Sequence, residues 1–164
     1  MQCAAVISSA VGLPVTFTVS TSGSFTFTVA AGAVNLTVSG SNATGALPPI
    51  TVSDTRNSFP GWSVSGQVSD FTGSGTAAGS TISGNQLGWV PTATSLGTGV
   101  TLGGTVTPGP LGLGSTAAVL GSAHAGSGFG TSVLSANLTL AIPAAATAGD
   151  YTGSLTVTAV TALP

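Results

Sequence analysis

The side chains in this sequence that can do acid–base, nucleophilic or metal chemistry are few enough to name. The ionised ones are Asp54, Asp70, Asp150 and Arg56, and His124 and Cys3 are the sole histidine and cysteine. Asp54 and Arg56 lie two apart, so on a strand they share a side. Such a pair is either a ligand-binding ion pair or a salt bridge that fixes strand register. The second is favoured, because charges taken out of water are paired. A metal site needs about four nitrogen, sulfur or oxygen ligands, which this inventory does not supply. A Ser-His-Asp triad lacks its setting: His124 sits in Ala123-His124-Ala125-Gly126, and no Gly-x-Ser-x-Gly elbow joins a strand to a helix. Glycoside hydrolysis asks for two carboxylates about 5–10 Å apart, and each Asp has a structural use instead. The chain therefore reads as non-catalytic, with no cofactor and no metal. Trp62 and Trp89 offer faces that stack on sugar rings or fill a core, and the alternation in Gly61-Trp62-Ser63-Val64 favours the core for Trp62.

The elements that must position these residues are strands. Val15, Phe17 and Val19 alternate with Thr16, Thr18 and Ser20; Val34, Leu36 and Val38 alternate with Asn35, Thr37 and Ser39; Leu138, Leu140 and Ile142 alternate with Asn137, Thr139 and Ala141. A period of two sends one set to a core and the other outward. Gly, Asn and Pro separate the runs and supply turns. About ten short strands are expected, near residues 14–20, 24–30, 33–39, 49–55, 61–68, 80–84, 86–92, 99–106, 131–142 and 150–160. The fold class is all-β, an antiparallel β-sandwich. Residues 107–130, rich in Gly, Pro and Ala, are expected as one long loop with at most a helical turn at 115–120. The sandwich domain covers 15–164, and residues 1–14 precede it as an arm or donor strand.

Charge supplies the functional argument. Charged residues make up 2% of the 164, where about 25% is ordinary. Mean hydropathy is +0.58, so the chain has the apolar content to fold, unlike disordered chains. Its surface must be Ser, Thr, Gly, Asn and Ala, with little repulsion between copies. Self-association into a homo-oligomer or polymer is the expectation. The arm, with Cys3, Val6, Ile7, Val11 and Leu13, has no evident place in the core and is expected to add a strand to a neighbour's sheet edge. One Arg cannot form a basic patch, so nucleic acid is excluded as a partner. No run is apolar enough to span a membrane. Lys is absent, which excludes sortase-linked and isopeptide-bonded pilin chemistry.

Part of the chain carries a familiar order of residues. Ile50-Thr51-Val52-Ser53-Asp54-Thr55-Arg56 leads to Gly61-Trp62-Ser63-Val64 and Asp70-Phe71-Thr72, and Ala148-Gly149-Asp150-Tyr151-Thr152-Gly153 opens the last strand. Over roughly residues 33–160 this resembles the WxL domain of Gram-positive bacterial surface proteins, in a divergent, actinobacterial-type form. Val64 stands where that family has Leu, and Val157 follows Leu155-Thr156 where it places a second Trp. The resemblance implies an extracellular, cell-surface or cell-wall location, with an export signal absent from this chain. It also implies binding to peptidoglycan or cell-wall polysaccharide, with Asp54, Arg56, Trp62, Trp89 and Tyr151 as the contact residues. The leading expectation is a secreted structural subunit of a filament, sheath or surface layer. The alternative is a wall-binding module.

Overall fold

Alternating Val, Phe, Leu and Thr make pleated strands, and these dominate the computed structural model, which describes residues 7–10 and 23–161. The strands are β1 (Ile7–Ala10), β2 (Phe25–Val29), β3 (Val34–Ser39), β4 (Asn42–Ala46), β5 (Ile50–Asp54), β6 (Trp62–Val68), β7 (Phe71–Ser74), β8 (Thr81–Ile82), β9 (Leu87–Ser95), β10 (Val100–Leu102), β11 (Ala118–Ala123), β12 (Gly130–Ala141) and β13 (Asp150–Thr161). Single 3-10 turns at Gly75–Ala77 and Gly84–Gln86 are the helical content of the described residues. The architecture is an all-β sandwich of antiparallel sheets.

In one sheet β12 is central. It pairs with β4 and β5 end to end along one side and with β9 along the other, while β2 pairs with β5 and β3 with β4. In the other, β13 pairs with β6 and β7, and β11 joins β6 to the edge strand β10. The faces meet through glycine. A Cβ on Gly66 of β6 would lie 2.8 Å from the Trp89 ring, and one on Gly121 of β11 would lie 3.0 Å from Leu134. Ile50, Val52, Val64, Leu134, Leu140, Leu155 and Val157 fill the space between, all fully buried.

Three expectations change. First, Ile7–Ala10 has a place in its own chain: it runs parallel to β13 (Ile7 opposite Tyr151) and antiparallel to β3 (Ile7 opposite Leu36). Backbone pairing on both sides gives this segment the seam between the sheets. Cys3, Val6, Val11, Leu13 and the strand expected at 14–20 lie outside the described residues. Second, the 107–130 segment is not all loop. Ala118–Ala123 is a strand, and its pairing with β6 skips from Val119 to Gly121. That bulge at Leu120 breaks the alternation by which a strand is recognised. Third, Asn42–Ala46 and Phe71–Ser74 are additional short strands. Each continues a ladder that its neighbour in sequence also serves, past Leu47-Pro48-Pro49 in one case and Ser69-Asp70 in the other.

Candidate functional site

The charge pair is built by β5 and the turn after it. Arg56 Nε donates to Asp54 Oδ1 at 2.9 Å and Nη2 donates to Oδ2 at 2.7 Å. The Arg56 backbone N–H also donates to Oδ1 at 3.0 Å. Both side chains are 2% exposed. The guanidinium carbon lies 5.1 Å from the centre of the Phe25 ring, and Nη2 approaches the Gly61 carbonyl at 3.4 Å. A fork-shaped donor facing a carboxylate in a dry site is a strong, directional contact. It fixes the course of the chain from residue 54 to residue 61. Trp62 packs beside Phe25 with ring centres 6.4 Å apart and donates its indole N–H to the Gly128 carbonyl at 3.3 Å.

The residues expected to contact a wall polymer are thereby accounted for differently. Asp54, Arg56, Trp62, Trp89 and Tyr151 are all buried, none more than 4% exposed. Trp89 fills the sandwich against Gly66. Tyr151 donates its hydroxyl to the Thr147 carbonyl at 2.8 Å and ties down the loop before β13. The physical reason is shared: each of these large side chains is taken up by the aliphatic core or by an internal partner, so none presents a face to solvent. Asp54, Arg56 and Trp62 come together at one end of the sandwich, while Trp89 and Tyr151 lie elsewhere in the core.

What the clustered residues position is an exposed aromatic pair. The loop after Arg56 carries Phe59, and the loop held by Trp62 carries Phe129. Their rings meet edge to face, 5.8 Å between centres, and are 37% and 43% exposed. Phe59 has φ of +44°, the left-handed region, and is the only non-glycine residue there among those described. For a bulky side chain that conformation costs about 1–2 kcal/mol. It is held by the Phe59 carbonyl accepting from Gly126 N–H at 2.7 Å. Strain of this kind marks places where the surroundings over-determine the backbone. The rings line an open cleft of about 370 Å³ together with Asn57, Thr98, Gly126 and Ser127.

Sequence reasoning passed over Phe59 and Phe129, although each carried a signal. Phe59 sits in Asn57-Ser58-Phe59-Pro60-Gly61, and Phe129 between Gly128 and Gly130. A large apolar residue framed by turn formers has no strand face to occupy. His124, at the same end, is exposed, and its carbonyl accepts from Ser127. Among the described residues no three of His, Cys, Asp and Glu gather as a metal site would require.

A second depression, about 520 Å³, lies on the outer face of β6 and β13, lined by Ser65, Gln67, Ser69, Asp70, Ser154 and Thr156 among others. It is hydroxyl-rich. No helix of the described residues is long and apolar enough to cross a membrane. The chain matches no protein-family model, and no curated protein is significantly similar to it.

Proposed function

We propose that this chain is a non-catalytic, secreted structural protein that associates with its own copies into an extracellular filament, sheath or surface layer. The observation that carries the reading is the state of its charges. Asp54 and Arg56 are buried against each other, at 1% and 2% exposure, so the surface carries Asp70 and Asp150 as its ionised side chains. Copies approaching one another have almost no charge to desolvate and almost no field to repel them. Exposed apolar residues supply attraction: Leu111 is 86% exposed, Val160 61%, Val90 47% and Leu96 46%. Both Asp54 oxygens are engaged by Arg56, which supports a structural use for that carboxylate. Electron microscopy of the purified protein tests the reading. Filaments or sheets of regular repeat are expected, and dispersed single particles at high concentration would contradict it.

A wall-binding module of the WxL type is the second reading, favoured by the hydroxyl-lined depression on β6 and β13. The hydroxyls there, with Asp70 beside them, suit a polysaccharide better than the buried Trp62 and Trp89 do. Sedimentation with purified cell walls separates the readings: a wall binder is carried down by walls at concentrations where it does not pellet alone.

A further inference from the structure

We propose that Asn35, Asn42 and Asn137 are N-glycosylation acceptors, and that their sugars cover the outer face of β3, β4 and β12. The inference rests on the secreted part of the reading above and is independent of wall binding.

Asn35-Leu36-Thr37, Asn42-Ala43-Thr44 and Asn137-Leu138-Thr139 each fit the Asn-x-Thr acceptor pattern, with no Pro between. In a Thr-rich chain such matches arise by chance, so their place in the fold carries the argument. Asn is depleted in strands and favoured in turns. Of the chain's five asparagines, the two in turns, Asn57 and Asn85, lack the Thr. Asn85 is also engaged, accepting from Ser115 Oγ at 2.6 Å. The three that carry the motif are the ones within strands, and all three are exposed.

Strand pairing brings the motifs together. Thr37 of β3 lies opposite Thr44 of β4, and Thr44 opposite Thr139 of β12, in one row across the sheet. A period of two puts each Asn on the face of its own Thr, while Leu36, Ala43 and Leu138 point into the core. On one side of the row Asn137 pairs with Ala46, and the same register sets Asn35 beside Ala46 from β3. Those two asparagines are two strands apart, about 10 Å. Asn42 stands on the other side of the row, between Ser39 and Ala141, four residues along and about 13 Å away. Its neighbours in the row, like Ala46 between the other two, are small and leave the carboxamides open.

The host supplies the sugar donor, an oligosaccharide on a polyprenyl diphosphate, and the transferase. The carboxamide nitrogen attacks the anomeric carbon. A C–N bond forms, the C–O bond to the diphosphate breaks, the lipid diphosphate leaves, and the nitrogen gives up one proton. Because every motif faces outward, sugar attached before folding does not obstruct the core. The sugars are bulky and solubilising, on a surface whose ionised side chains are Asp70 and Asp150. They also divide the faces. Val90, opposite Asn137 on β9, is covered, whereas Val160 of β13, in the other sheet and 61% exposed, stays open to a second copy.

Glycopeptide mapping by mass spectrometry, on protein secreted by its native host, tests this. Sugar is expected on Asn35, Asn42 and Asn137, with Asn57 and Asn85 bare. Thr139→Val, which keeps the asparagine, is expected to lose the sugar on Asn137, and Thr139→Ser to retain it. If Thr139→Val is not secreted, Thr37→Val read at Asn35 takes its place. Secreted protein with all three asparagines bare, or with sugar on hydroxyls alone, would overturn the proposal and leave secretion standing. A single bare asparagine would strike that site. Protein found only inside the cell would overturn the secreted reading and the acceptors with it.

Discussion

Asp54 and Arg56 act as one unit, and their substitution should show it. Arg56→Met leaves a buried carboxylate without its partner, an expected loss of about 3–5 kcal/mol. Asp54→Leu combined with Arg56→Met should cost less than Arg56→Met alone, as measured by denaturant unfolding, because no orphan charge remains. Asn tolerates the left-handed region better than Phe, so Phe59→Asn should keep or raise the melting temperature, as read by thermal unfolding. The sequence displayed the Asp54–Arg56 pair in its spacing and Trp62 in its alternation, because both signals are local. It did not display Tyr151 as a core anchor, since its hydroxyl partner, Thr147, is defined by the loop's path. Nor did it distinguish Leu111 from Leu113, two residues apart in a loop whose geometry decides which one turns inward.

At the level of elements, the strands with clean alternation were legible: β3, β5, β6, β12 and β13 all lie within a residue or two of their expected places. Those interrupted by bulges or built from Gly and Ala were not, β11 above all, because a bulge resets which face each residue takes. Packing between elements depends on absent side chains as much as on present ones. Gly66→Ala would press a methyl onto the Trp89 ring, 2.8 Å away, with an expected cost of about 1–3 kcal/mol and a lowered unfolding midpoint. The N-terminal strand gives a different test. Removing residues 1–12 strips β13 and β3 of the strand between them and leaves two unpaired edges. The truncated protein should melt at lower temperature and bind a synthetic peptide of residues 1–12, restoring the midpoint. A truncated domain as stable as the parent would remove β1 from the account of the fold.

The molecule as a whole joins an ordinary apolar core to a surface with almost no ionised groups. The fold class was legible because periodicity and turn residues recur along the entire chain; the aromatic cleft was not, because it gathers loops from residues 57–59, 98 and 126–129 that only the closed sandwich brings together. Association driven by apolar and neutral polar contact has no attraction for salt to screen, and salts excluded from protein surfaces strengthen it. The most direct measurement is sedimentation velocity of the intact protein over a wide concentration range, at low ionic strength and again in strong sulfate. The expected result is a weight-average mass that climbs with concentration and climbs further in sulfate. A single monomeric boundary at every concentration, or assemblies that dissolve as salt is raised, would contradict it.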